Sequence, residues 1–441
     1  METHAASQAE PGIGADVEKG PGAAHTPPRP TAPSKPRPLW RNRDYMLLWS
    51  GQTVSSIGSG VSTIAFPFLV LALTHSAALA GLAGALRALP YVLFSLPAGA
   101  LIDRWNRNRV MIVCDAGRAL ALGSIPVAVW LGRLTVAQIF IVTFIEGSLY
   151  VFFNLAEVAC LPRVVPQQQL AAATGQNQAT DGLSILISQP LGGLIFSLRQ
   201  MLPFLADAIS YVVSVISLLF IQTRFQGERT RGERHLGQEI WEGLVWLWRQ
   251  PLIRYIALLT GGMNFVSAGA TLIIIVLAEH QGATPLVTGL IFSIWSIGGI
   301  IGAVIGAAIQ KRYTFAQVII ATTWITALAW PFFAIAPNPL ILGLIGAVSF
   351  MVGPIYNVVQ LSYRLALIPD ALQGRVNSVF RLLAFGFQPL GAAASGVLID
   401  WIGVTWTILL YGVVLLALGV LTQLNPHVRG ARPLGEVQAA G

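Results

Sequence analysis

Arg87, Glu146 and Asp181 stand deep inside runs of apolar sequence, as do Asp115 and Arg118. A charge held away from water is costly unless paired or hydrated, so such residues are functional candidates by default. Counted at helical rise, Arg87 lies about 12 Å and Glu146 about 13 Å below the outer ends of their helices. This shared depth makes them the simplest pair, with Asp181 a further acceptor; Asp115 and Arg118, three apart, are expected to pair locally. Two chemistries are open to such a set. A carboxylate that alternates between Arg87 and a proton would carry that proton, with Glu146 or Asp181 as the carrier; alternatively, the pair is a fixed ion pair joining two helices. Other chemistries find no residues. A phosphate-binding loop needs Gly before Lys, whereas Lys19, Lys35 and Lys311 follow Glu18, Ser34 and Gln310. There is no His-Glu-x-x-His motif, and the six histidines fall in tails, loops or span ends, so neither a metal, a cofactor nor a catalytic dyad is expected. Energy must come from an ion gradient or from the substrate's own gradient.

The elements that position these charges are helices in lipid. Of 441 residues, 54% are hydrophobic and 10% charged, with a mean hydropathy of +0.67. A soluble domain is about 25% charged. Apolar runs near 46–73, 79–102, 110–131, 137–160, 170–198, 204–222, 252–278, 286–309, 314–336, 338–362, 373–399 and 403–424 each suffice for a bilayer crossing. The chain therefore reads as an all-α membrane protein of twelve transmembrane helices. With the N-terminus in the cytoplasm, 23 of the 27 Lys and Arg fall on that side and only Arg133 and Arg199 on the other. The positive-inside rule then puts both termini in the cytoplasm of a cell (inner) membrane protein, and the basic balance needs no nucleic acid. Cys114 and Cys160 read as lipid-facing or packing residues. The first 44 residues carry eight prolines and no apolar run, which suggests an unstructured tail.

The chain also repeats itself. A shift of 208 residues lays Gln52, Ser56, Ser59 and Thr63 on Thr260, Asn264, Ser267 and Thr271, Gly81 on Gly289, and Arg87 on Trp295. At a shift of 203, Asn154 meets Asn357, Glu146 meets Ser349 and Glu157 meets Gln360; at 199, Gln189-Pro190-Leu191-Gly192 meets Gln388-Pro389-Leu390-Gly391. These are two parallel six-helix repeats, 45–222 and 252–424, flanked by tails 1–44 and 425–441 and joined by a linker, 223–251. Spacing of four, three and four puts each polar set on one helical face. The two stripes are expected to face a shared central cavity, the competing reading being hydrogen-bonded glue within each half. Within the linker, Leu236, Ile240, Leu244, Leu247 and Trp248 share a face, as in a helix lying on a membrane surface.

One motif names a family. Gly99-Ala-Leu-Ile-Asp103-Arg104-Trp-Asn106-Arg107-Asn-Arg109 resembles the Gly-x-x-x-Asp-Arg-x-Gly-Arg-Arg signature of the major facilitator superfamily. In this reading Gly99 allows close helix approach, Asp103 accepts from a neighbouring helix N-terminus, and Arg104 and Arg107, with Glu157, complete a clasp that closes the cytoplasmic side. Asn106 replaces the usual Gly and would keep the turn by tolerating a left-handed backbone. Asn42-Arg-Asp-Tyr-Met-Leu-Leu-Trp-Ser-Gly, the Gln-Pro-Leu-Gly repeats and Gly374-Arg-Val-Asn-Ser-Val further resemble the drug:proton antiporter branch with its macrolide-efflux and enterobactin-exporter members. The resemblance spans residues 40 to 424. It implies a monomer that exports a small amphiphile, a drug, macrolide-like compound or siderophore, against protons. Trp295 is the candidate apolar contact for that substrate. A nutrient-uptake facilitator and a polytopic membrane enzyme remain the alternatives.

Overall fold

The computed structural model of the protein describes residues 38–223 and 236–431; the remainder of the expected tails and the charged stretch 224–235 lie outside the described residues. The last residues of the expected N-terminal tail are ordered, because Asn42 caps the first helix through Tyr45 N and donates to Val164 O at 2.7 Å. Six helices form the first half: α1 (Arg43–Thr74), α2 (Ala77–Arg104), α3 (Arg107–Trp130), α4 (Val136–Val164), α5 (Leu170–Leu198) and α6 (Leu202–Leu219). A linker helix, α7 (Leu236–Arg249), precedes α8 (Pro251–His280), α9 (Pro285–Arg312), α10 (Phe315–Ala329), α11 (Pro339–Leu367), α12 (Gln373–Gly386), α13 (Gln388–Ile402) and α14 (Val404–Leu424). Twelve spans are long and apolar enough to cross a membrane. Asn42, Ser76, Asn106, Thr135, Thr284, Thr314 and Asn338 each accept a backbone N–H at the start of their helix, which explains why these helices begin where they do.

Two spans depart from a simple rod. The ninth closes as a 3-10 turn over Trp330–Ile335, where Pro331 cannot donate to the helical ladder. The eleventh breaks at Phe387 into α12 and α13, with Pro389 in the first turn of α13. Its repeat mate Pro190 leaves α5 continuous.

Glycines fix how the halves meet. The sides are distinguished here as the tail side, where α1 begins and α14 ends, and the far side. On the far side α2 packs on α13 and α5 on α9. A Cβ on Gly81 would stand 2.5 Å from Ala392 O, on Gly396 2.2 Å from Ala77 O, on Gly289 2.4 Å from Gln189 O and on Gly193 2.0 Å from Pro285 O. Only glycine permits such backbone contact. Asp400, near the end of α13, seals this seam by accepting from Ser76 Oγ (2.7 Å), Ala77 N (2.8 Å) and Ala78 N (2.9 Å) at the start of α2. On the tail side a Cβ on Gly99, Gly175, Gly182, Gly374 or Gly386 would meet nothing within 4 Å. Among the described residues, the halves meet in close glycine contact on the far side, and these tail-side glycines make no such contact.

Helix α7 packs on the second half. Leu247 is fully buried and Ile240, Leu244 and Trp246 are half-buried against α8 and α12, while Arg375 of α12 bonds Glu242 (2.5 Å) and Glu239 (3.4 Å). Trp248, expected on the apolar face, is instead exposed with Trp241; the Leu236 side chain lies outside the described residues.

Candidate functional site

The deep charges converge in the first half. Helices α2 and α4 touch where Gly147 has no Cβ, since one would stand 2.2 Å from Arg87 O. That approach sets Arg87 beside the preceding residue, Glu146, and Arg87 Nε donates to Glu146 Oε2 at 2.8 Å. The other oxygen accepts from Arg118 Nη2 of α3, also at 2.8 Å. Glu146 is thus held by two arginines, one per oxygen. Arg118 was expected to pair locally, and its Nη1 does stand 3.5 Å from Asp115 Oδ1, but its shorter bond is to Glu146. The guanidinium of Arg118 also lies over the Tyr211 ring of α6, 4.0 Å from its centre, and Tyr211 shares a 2.6 Å hydrogen bond with Ser59 of α1. Arg118 is 3% exposed at the side chain and Arg87 28%. Arg87 is thus the more exposed partner of Glu146 and Arg118 the more enclosed.

Asp181 does not join this cluster. It is exposed on α5, which packs against α1 and α9, and its electrostatic neighbour is Glu157 of α4. Sequence reasoning missed Asp207 of α6, which is fully buried and accepts from Ser62 and Ser210 with no ion pair of its own among the described residues. The available signal was an acid one turn into the apolar run of α6.

The two polar stripes divide. Gln52 Nε2 donates to Ser214 Oγ (3.3 Å), Ser59 bonds Tyr211, and Thr63 turns back on Ser59 O. Thr260 shares a 2.7 Å bond with Tyr356 of α11, and Asn264 Nδ2 donates to Ala384 O (2.8 Å). These are bonds within each half, as the competing reading required. Only Ser56, Ser267 and Thr271 show no side-chain hydrogen bond among the described residues, and Ser267 is exposed on α8, the most enclosed of the twelve spans. Trp295 is committed as well: its indole N–H donates to Leu342 O at 3.3 Å and its edge fills the notch left by Gly346 of α11, with Phe292 and Phe333 against its face. It packs the second half internally.

At the tail-side motif, Arg107 Nη1 donates to Ala159 O of α4 (3.1 Å) and Arg104 is exposed; the Asp103 side chain lies outside the described residues. A Cβ on Gly99 would meet nothing within 4 Å among the described residues, so the close approach expected of it is not made in this state. Asn106 has φ of −72°, not a left-handed backbone, and serves instead as the cap of α3 by accepting from Arg109 N. Glu157 is half-buried nearby with Asp181 and Asp115 as its like-charged neighbours. Cys114 and Cys160 are buried packing residues, and Cys160 Sγ contacts Met111 Sδ at 3.8 Å.

Two matched bundles closed at one end frame this cluster, and the sequence comparisons agree with that plan. The profile of the Major Facilitator Superfamily matches residues 48–387 and 255–439. The chain belongs to that superfamily. Among relatives of this facilitator, the multidrug efflux pump Tap of Mycolicibacterium fortuitum is 28% identical over 87% of this chain and 96% of its own. Macrolide efflux protein A of Streptococcus pyogenes is 24% identical over 88% and 97%. Among solved structures, the nucleoside transporter NupG superposes with a TM-score of 0.73 at 14% identity, covering 88% of this chain and all of its own. A bacterial homologue of the lysosomal transporter Spinster, inward-facing and unoccupied, gives 0.69 at 13% identity. At those identities the likeness is one of fold. The protein is thus a multi-pass membrane transporter of the major facilitator fold with efflux pumps among its relatives.

Proposed function

We propose that this facilitator exports an amphiphilic small molecule against a proton gradient, as a monomer in the cell (inner) membrane with both termini in the cytoplasm. The observation that carries the reading is the asymmetric seam, glycine-tight on the far side and open on the tail side, which is one end state of alternating access. The excess of Lys and Arg on the tail side supports calling that side cytoplasmic. Efflux pumps among the relatives support the direction. In this cycle the clasp of Gly99, Asp103, Arg104, Arg107 and Glu157 closes the tail side while the Asp400 seal parts.

Glu146 is the proton carrier and Arg87 the partner it exchanges. Arg118 stays, buried and stacked on Tyr211, while the more exposed Arg87 can swing toward water and leave Oε2 to a proton. Asp181, exposed on the tail side, passes the proton to the cytoplasm. Ser56, Ser267 and Thr271 offer the cavity free hydroxyls for the substrate. The test is accumulation of a panel of fluorescent amphiphiles in cells with and without the protein, repeated with an uncoupler. Lower accumulation that disappears with the uncoupler is expected. Higher accumulation would make the protein an uptake facilitator, and indifference to the uncoupler would remove the proton.

A further inference from the structure

Helix α11 carries a cation for which the described residues of the second half supply no counter-ion. Arg364 is 5% exposed, its guanidinium lies 3.7 Å from the centre of the Phe380 ring of α12, and its Nε and Nη1 are buried without a hydrogen bond. Every carboxylate of α7 to α14 among the described residues is engaged or remote. Asp400 caps α2 on the far side, Glu239 and Glu242 hold Arg375, Asp370 accepts from Gln373 at the surface, and Glu279 is exposed at the far end of α8. The charged neighbour that Arg364 does have, Arg381, carries the same sign. An ion left unpaired in a protein interior is strongly unfavourable, and stacking on one ring offsets only part of that.

Two amides on the same two helices are also unmatched. Gln360, one turn earlier on the same face of α11, has a buried Oε1 without a partner, and Asn377, one turn before Phe380 on α12, a buried Oδ1 without one. Oxygen and nitrogen of a side-chain amide exchange places by a half-turn, so either group can present N–H donors alongside the guanidinium. The stripe is reachable from the open gap, since Asn357 and Leu361, on the same face of α11, are exposed. An exposed asparagine on a spanning helix belongs to a water-filled cavity rather than to lipid.

The geometry points to an anion-binding subsite: Arg364, with Gln360 and Asn377, receives the carboxylate or phosphate group of an amphiphile entering from the tail side. This rests on the export reading for the direction of entry and narrows its substrates to amphiphiles with an anionic head. The planar guanidinium suits bidentate contact with such a group, and Phe380 holds that plane in place. A membrane phosphate offers the same chemistry, so the experiment includes lipid as a second arm.

Binding is measured by fluorescence on the purified full chain in neutral detergent with no gradient, so that failure of the export reading and failure of this one are distinguishable. The probes are rhodamine 110, which has a free carboxylate, and rhodamine 123, its methyl ester. The wild type is expected to prefer rhodamine 110 by about tenfold, the increment of a charge-assisted hydrogen bond. Arg364→Gln should erase that preference while leaving the ester's affinity unchanged, and Arg364→Lys should restore part of it. Asn377→Leu, which leaves the arginine in place, should weaken rhodamine 110 alone and serves if Arg364→Gln folds poorly. Equal affinities in the wild type, or a preference that survives both Arg364→Gln and Asn377→Leu, overturns the subsite. Loss of the wild-type preference when phosphatidylglycerol replaces phosphatidylcholine in nanodiscs assigns Arg364 to an anionic lipid head group and overturns the substrate assignment.

Discussion

Asp400→Asn should unlock the far side. In the closed seam this carboxylate accepts from Ser76 Oγ, Ala77 N and Ala78 N at 2.7 to 2.9 Å, crossing from the second half to the first turn of α2. The group is exposed, so each bond is screened by water and the full strength of a buried charge-assisted bond does not apply. A carboxylate at a helix N-terminus contributes about 0.3–1 kcal/mol through the helix dipole at such sites. Asparagine keeps one accepting oxygen but turns an N–H₂ toward backbone donors, so at least one further bond, about 1 kcal/mol, is lost. Together these come to about 1.3–2 kcal/mol. Since 1.4 kcal/mol is tenfold in an equilibrium, far-open molecules should gain about ten- to thirtyfold relative to far-closed ones. Spin labels at Arg133, in a far-side loop of the first half, and Leu340, in the first turn of α11 in the second, report this by pulsed dipolar spectroscopy as a second, longer distance in the variant. Ser76→Ala should give a smaller shift of the same sign, and the double variant should shift less than the two singles added, because the two residues share a bond. A distance distribution identical to wild type in Asp400→Asn would refute the reasoning, and strict additivity would show that Ser76 acts through some other contact.

Three other outcomes are expected. Glu146→Gln keeps one accepting oxygen but removes the negative charge that two arginines share and should lower stability by about 3 kcal/mol or more, seen as an earlier thermal unfolding midpoint; if Glu146 carries the proton, the folded fraction loses uphill efflux but keeps exchange down a gradient, whereas recovery of both folding and uphill transport on adding Arg87→Gln marks a purely structural pair. Gly193→Val places a Cβ within 2.0 Å of Pro285 O, an overpacking of about 1–3 kcal/mol, so the same spin-label pair should report a mostly far-open population and transport should fall about tenfold or more; wild-type closure would mean the seam has slack. A single cysteine at Thr284 should react with an impermeant thiol reagent from outside while one at Arg41 is protected, and the reverse pattern would invert the proposed orientation.

The pairing of Arg87 with Glu146 was legible because depth along a straight helix follows from counting residues, and depth was what the two shared. Gly81 and Gly289 were legible as repeat mates. Their meaning came only from the structure, where each lies in a far-side seam, against α13 and α5 respectively. Gly192 and Gly391 behave alike, each facing the first helix of its own half, at Val61 O and Phe265 O. What sequence could not give was helix rotation. The face of α1 carrying Gln52 and Ser59 meets α6 rather than the gap, and a periodicity of three and four residues is the same for both destinations. Arg118 was misjudged for a related reason: Asp115 lies three residues away along the chain, whereas Glu146 is nearer only once α3 and α4 pack. Trp295 could not be placed without knowing that Gly346 leaves a notch of its size. The Asn106 substitution is explained by capping, which needs an extended backbone and not the left-handed one its glycine counterpart suggests.

The linker is anchored at both of its described ends, and to different halves. Thr223 N donates to Asp44 of α1 at 2.9 Å, while α7 is fastened to α12 through Arg375 and to α8 through Leu247. The covalent connection between these two anchored points runs through residues 224–235, and a chain of that length cannot span more than about 45 Å. Each described end of the linker is held by its own half, and neither reaches across to the other. The two halves are then coupled through their seams alone, and continuity of the polypeptide is dispensable to the motion. The gene could be divided within that stretch, with α7 left on the second fragment, and the two products should dock through the same glycine faces into a working transporter.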